Sequence, residues 1–325
     1  MKGTLGRSEI EVSAIGMGCW AIGGEFGPGT QPWGWGKVDD SQSVAAIHAA
    51  LDLGVTFFDT ADVYGCGHSE RILGQALKGR REQVVIATKF GHQFDEASKQ
   101  VLETNSSSEY IRAACDASLK RLQADYIDLY QLHFGLDDLG EVPRVRDTLE
   151  ALVAEGKIRA YGWSTDDPAR AAIFALGEHC VAIQHQQNIF EDNAALLELC
   201  EGQNLSSINR GPLGMGILTG KFSSGAALET SDIRHASPEW MAYFKDGKPN
   251  PEWLSKLESI RDILCMGGRT LAQGALAWLL ARSSNTLPIP GFRTVKQVQE
   301  NAGVLEQGPL TRPQMQDITG VLRAG

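Results

Sequence analysis

No run of 18 apolar residues occurs in this 325-residue chain, so the sequence offers no candidate membrane-spanning helix. The opening stretch MKGTLGRSEIEVS has no apolar signal core, and a cytoplasmic location is the expectation. Basic runs are absent too. Lys and Arg number 30 against 40 Asp and Glu, giving a formal charge of −10 and a pI of about 5.2. That balance argues against nucleic acid and anionic membranes as partners, while a local pocket for an anion stays open. None of the six cysteines (Cys19, Cys66, Cys115, Cys180, Cys200 and Cys265) stands in a CxxC pair. They read as free thiols in a reducing compartment. No HxH or HxxxH pair marks a metal site, and no metal is expected. The first strand–helix turn lacks a G-x-G-x-x-G with an acid about 20 residues on, which counts against an open dinucleotide-binding sheet.

What is present is an ordinary globular mixture, 42% hydrophobic and 22% charged, enough for one core. Residues 2–12 read as a small hairpin around Gly6. The strand 14–20 follows, then a loop over 23–38 whose Trp33 and Trp35 argue for order. Strands are predicted at 55–59, 84–89, 126–133, 158–163, 181–186, 205–209 and 286–289. Helices are predicted from Asp39, over 69–78 with Ser69 as cap, from Ser107, and over 143–156, 168–177, 193–201, most of 252–282, and 294–304. An irregular section runs over 220–250, and a final helix starts near Thr311. Eight strand–helix units in one chain predict an α/β (β/α)₈ barrel as a single domain over 1–325, with an N-terminal hairpin and an extra C-terminal helix. The runner-up is an open doubly wound sheet.

Barrel active sites gather at the carboxyl ends of the strands. Here successive strand ends carry Asp59, with Tyr64 in its loop, then Lys89, then His133. Singly, each has an ordinary structural explanation; together they suit carbonyl reduction. A phenol is a proton donor at neutral pH. A cation at Lys89 would lower the Tyr64 pKa, Asp59 would hold that cation, and His133 would orient a substrate oxygen. No side chain carries hydride, so a cofactor must. Two other readings remain at this point. One is a metal-dependent barrel hydrolase using His133, His185 and Asp59; the other is a non-catalytic regulatory subunit that senses the cofactor.

The stretch Phe58-Asp59-Thr60-Ala61-x-x-Tyr64-Gly65 with Ser69-Glu70, together with Ala87-Thr88-Lys89 and Leu132-His133, resembles the aldo-keto reductases over nearly the whole chain. Gly65-Cys66-Gly67-His68-Ser69-Glu70 and Leu218-Thr219-Gly220-Lys221 are most similar to the bacterial general-stress and potassium-channel β-subunit-like branch. The resemblance implies NADPH-dependent reduction of a small aldehyde or ketone, or oxidation of the alcohol, with Asp59, Tyr64, Lys89 and His133 catalytic. It places Trp20, Asp59, Ser164, Thr165 and Gln184 near the nicotinamide. Arg210, Gly211, Pro212, Leu213, Gly216, Leu218, Gly220 and Lys221 form the loop over the pyrophosphate. Gly291, Arg293, Gln297, Glu300 and Asn301 meet the adenosine, with Arg293 at the 2′-phosphate. The chain departs from the family at Thr165, where asparagine is usual, and at Gln187, where a tyrosine would stack on the nicotinamide.

Overall fold

A hairpin of β1 (Lys2–Thr4) and β2 (Glu11–Ser13) opens the chain. The computed structural model describes residues 1–222, 227–238 and 240–324. Next come β3 (Gly16–Gly18), α1 (Asp40–Asp52), β4 (Phe57–Asp59), α2 (His68–Ala76) and β5 (Val85–Phe90). A second hairpin, β6 (His92–Asp95) and β7 (Gln100–Thr104), precedes α3 (Ser108–Leu122). The sequence reading assigned nothing to that stretch. Regular alternation resumes with β8 (Ile127–Leu132), α4 (Val142–Ala154), β9 (Ile158–Ser164), α5 (Pro168–Phe174), β10 (Cys180–Gln186), α6 (Ala194–Gly202) and β11 (Ser206–Arg210). The section expected to be irregular holds α7 (Ile233–Ala236) and the two-residue strands β12 (Phe244–Lys245) and β13 (Lys248–Pro249); 223–226 and 239 lie outside the described residues. Then follow α8 (Pro251–Cys265), α9 (Leu271–Arg282), β14 (Thr286–Pro288), α10 (Val295–Ala302), α11 (Val304–Gln307) and α12 (Arg312–Ala324).

Eight strands pair in parallel in the order β3-β4-β5-β8-β9-β10-β11-β14. A parallel bridge between Gly18 and Gly291 brings the two edges together, with Gly18 N donating to Pro290 O at 2.9 Å. The result is a (β/α)₈ barrel. Alternation along each strand sorts its side chains between lumen and helices. Phe57, Val85, Ala87, Leu129, Ala160, Ala182, Ile208 and Leu287 pack together inside the barrel. Their neighbours Phe58, Ile86, Tyr130, Tyr161 and Ile183 pack outward against the helices.

The amino ends of the strands are plugged. Leu5, Ile10 and Val12 of the first hairpin join the lumen cluster. Gly6 N donates to Ser206 Oγ at 2.7 Å, and Arg7 Nε to Cys180 O at 2.9 Å. The carboxyl ends carry the open mouth. One local expectation changes. Ser69 lies inside α2, and Gly67 holds the cap position with φ +84°. The Ser69 hydroxyl instead meets Thr60 Oγ1 and Cys19 O, both at 2.8 Å, and ties three segments at the rim.

On the helix side of β10 and β11 runs a buried polar chain. His185 Nε2 meets Ser207 Oγ at 2.7 Å, Asn209 Nδ2 donates to Ser207 Oγ and to Gln187 Oε1, and Gln187 Nε2 donates to Asp192 Oδ1 at 2.9 Å. The alternation that turns Gln184 and Gln186 inward turns Gln187 outward, so Gln187 is not the residue that faces a cofactor ring. His185 also points away from His133, which removes the metal-site constellation considered above.

Two measurements follow from this chain. Gln187→Tyr adds bulk to a closed polar site and should lower stability by about 1–3 kcal/mol, read from urea unfolding, with no gain in ligand affinity. Burial, the main cause, pushes His185 down to about 4. Below pH 6.5 the unfolded chain therefore binds a proton that the folded chain refuses, and stability falls as pH drops towards 4. His185→Gln should shrink that loss by about 3 kcal/mol across this window, measured by urea midpoints at each pH.

Candidate active site

The lumen ends in a wide cavity of about 1900 Å³ at the carboxyl ends of the strands. Its floor is polar. Asp59 ends β4, Lys89 stands in β5 and Gln131 in β8, and in the barrel register Lys89 sits beside Gln131. Lys89 Nζ donates to Asp59 Oδ1 at 2.5 Å and to Thr60 O at 2.8 Å. Asp59 Oδ2 accepts from Gln184 Nε2 at 2.8 Å and from Gln131 Nε2 at 3.1 Å. Both charges are buried, and each is satisfied by several partners, which is the condition under which a buried ion pair is tolerated. Burial favours neutral lysine, but Asp59 and Tyr64 outweigh it and hold the Lys89 pKa above its ordinary value.

Tyr64 OH lies 3.4 Å from Lys89 Nζ, the ammonium sits 5.0 Å from the ring centroid, and Trp20 stacks on the ring at 6.0 Å. The loop holding it is pressed against residues 20–24. Gly65 has φ +60°, and a Cβ there would lie 1.9 Å from Gly23 O, so only glycine permits this approach. Lys89 does lower the phenol's pKa, as expected, but the net shift is upward. Burial raises it, Lys89 offsets this only in part, and Asp59 opposes Lys89. His133 follows β8, its ring 5.7 Å from that of Tyr64. Burial first, then Lys89, His92 and Arg210, push its pKa well below the ordinary value. It is a neutral imidazole, and its Nδ1 is buried with no partner among the described residues.

The other expected residues sort clearly. Trp20, Asp59, Ser164, Thr165, Gln184, Arg210, Gly211, Pro212, Leu213, Gly216, Lys221, Gly291, Arg293, Gln297, Glu300 and Asn301 line the cavity. Leu218 is fully buried in the core beneath the loop, and Gly220 serves as the left-handed end of the turn at φ +71°; neither lines the cavity. Gln184 spends its amide N–H on Asp59, which leaves its carbonyl oxygen. The Thr165 hydroxyl accepts from Asp167 N at 3.2 Å. Arg210 pairs with Asp166 and donates to Gln186 Oε1 at 3.1 Å, and its charge reaches both Tyr64 and His133. It therefore belongs to the surroundings of Tyr64 and His133 as much as to the loop. Arg293 clasps the loop over 23–38, donating to Trp35 O at 3.1 Å and to Lys37 O. Gln297 Oε1 caps α10 by accepting from Arg293 N and Thr294 N.

Among nearby aromatic residues, Trp20, Trp33, Trp35 and Phe134 wall the cavity, whereas Phe90 is core, 4.6 Å from Tyr130. Two site residues escaped the sequence reading. Gln131 was detectable as a lone amide two places before His133 in an apolar strand. His92 was not, because its hairpin was not foreseen. Among the described residues no three His, Cys, Asp or Glu side chains gather as a metal site, and no single helix is long and apolar enough to cross a membrane.

Comparison with known proteins agrees with this geometry. The chain is 34% identical to the aldo-keto reductase yakc [NADP(+)] of Schizosaccharomyces pombe over 91% of this chain and 84% of that protein. It is 33% identical to the aldo-keto reductase YhdN of Bacillus subtilis, over 91% and 86%. Among solved structures, glycerol dehydrogenase AKR11B4 of Gluconobacter oxydans aligns with a TM-score of 0.85 at 30% identity, over 99% of this chain and 95% of that one. A Klebsiella pneumoniae aldo-keto reductase in complex with NADPH aligns at 0.70 and 28%, over 98% and 95%. The model of the Aldo/keto reductase family matches residues 14–323, and this chain belongs to that family.

Proposed function

We propose that this chain is an NADP(H)-dependent oxidoreductase that interconverts an aldehyde or ketone and its alcohol. The observation that carries the reading is the convergence of Tyr64, Lys89, Asp59 and His133 at one end of the barrel. The phenol is the proton donor. The Lys89 ammonium 3.4 Å away stabilises the phenolate left after transfer, a charge that develops only as the reaction proceeds. Asp59 fixes the ammonium in place and keeps it protonated. His133, neutral at physiological pH, offers one N–H to the carbonyl oxygen without adding a second cation.

The cavity also fits a dinucleotide. Its volume exceeds the ~300–1,000 Å³ typical of a small-molecule site. Gly211, Gly214, Met215 and Gly216 all have positive φ, which curls the backbone into a concave turn. Lys221, Arg234 and Arg293 gather there. Desolvation and the like charges of Arg234 and Arg293 depress Lys221, as expected of a site made for an anion. Ser164, Thr165 and the Gln184 carbonyl would meet the nicotinamide amide. Residues Gly211–Leu213, Gly216 and Lys221 would meet the pyrophosphate, with Gly291, Arg293, Gln297, Glu300 and Asn301 around the adenosine. When bound, the cofactor supplies the hydride that no side chain can. The NADP(+) and NADPH in the names of the relatives above support the choice.

Tyr64→Phe should reduce carbonyl turnover by on the order of 10²-fold or more while leaving NADPH affinity unchanged. Retention of most of the kcat would remove Tyr64 as the acid. Arg293→Ala should weaken NADPH by about ten- to a hundredfold, the loss of charged hydrogen bonds to a 2′-phosphate, and NADH far less. Equal losses in fluorescence titration would make Arg293 a clasp for the loop and nothing more.

A further inference from the structure

His92 opens β6, in the hairpin that interrupts the barrel after β5. Its ring lies 5.4 Å from His133, 5.7 Å from Trp33 and 6.2 Å from Phe134, and it lines the cavity beside Tyr64. The position is built. Gly91 has φ +128°, and a Cβ there would lie 2.5 Å from Phe134 Cδ1, so glycine lets the chain turn tightly against that ring. Gly91 O accepts from Asn105 N at 2.8 Å, and His92 O accepts from Tyr110 OH at 3.0 Å. Both backbone carbonyls that flank the imidazole are thus held from the α3 side.

We propose that His92 is a positioning residue that reads a hydroxyl on the carbon next to the reacting carbonyl, so that the preferred substrates are α-hydroxy aldehydes and ketones. This rests on the carbonyl-reduction reading above. A carbonyl oxygen held by Tyr64 and His133 leaves a neighbouring hydroxyl about 3 Å away, hydrogen-bond distance from a third group on the same side. His92 is that group, its ring 5.4 Å from that of His133. Burial favours the neutral ring, in which one of the two nitrogens carries a hydrogen. The other is an acceptor in the neutral ring, matched to a hydroxyl donor. Trp33 and Phe134 flank it with apolar faces suited to the C–H side of a hydroxylated carbon. A site that pairs a substrate hydroxyl discriminates against the analogue lacking it, because its own polar group is then left unpaired.

The test compares glyceraldehyde with propionaldehyde in wild type, His92→Phe and the better of His92→Gln and His92→Asn, using NADPH. His92→Phe should lower kcat/KM for glyceraldehyde by about tenfold, mainly through KM, and leave propionaldehyde within about twofold. The amide variant, which keeps an acceptor, should recover most of the loss. Melting temperatures check that both variants fold; if His92→Phe does not, His92→Leu carries the same comparison. Parallel losses on both aldehydes, or no loss on glyceraldehyde, overturn the role of His92 while carbonyl reduction stands. A wild type that reduces neither aldehyde overturns the underlying reading, and this inference with it.

Discussion

Everything at the working end of this barrel depends on one buried ion pair, Lys89 with Asp59. Two charges removed from water cost several kcal/mol each after relaxation, and attraction alone seldom repays that. The barrel meets the cost by surrounding the pair. Thr60 O takes a second ammonium proton, and the amides of Gln131 and Gln184 take the second carboxylate oxygen. The four side chains come from β4, β5, β8 and β10, so the parallel register fixes their spacing before any ligand arrives. Removing either charge would strand the other in a dry lumen.

The pair also sets the electrostatics of its neighbours. The Lys89 charge faces Tyr64 and His133 and disfavours an imidazolium beside it. The phenol stays protonated because burial outweighs the lysine's pull. The site thus rests in a form with a neutral phenol, a neutral hydrogen-bonding ring and one committed cation. In the reaction proposed above, such a preorganised arrangement needs no rearrangement when charge moves onto the tyrosine oxygen.

The barrel and the polar floor of its cavity were legible because period-2 strands and their polar ends are local signals. Asp59, Lys89 and His133 each end an apolar run, and Tyr64 follows in a loop marked by glycines. What was not legible depended on direction. Gln187 stands one place beyond a strand whose even-numbered residues face the lumen, so it points to the helices. Leu218 has a loop's sequence context but a core residue's burial. Arg293 and Gln297 sit where the adenosine would lie, yet their polar atoms are shared with the loop over 23–38 and with the start of α10. The second hairpin has both faces partly exposed, with no clean alternation to announce it. The sign of the Tyr64 shift needed the balance of burial against charge, which no motif encodes.

Leu5, Ile10 and Val12 close the amino end of a lumen that Phe57, Leu129 and Ile208 already fill, so the barrel is solid at that pole. The wide cavity lies at the opposite pole, among the loops that follow the strands. Shape and support are thereby assigned to different parts of the chain: the loops can vary in form while the packed interior and its hairpin hold the strands in register.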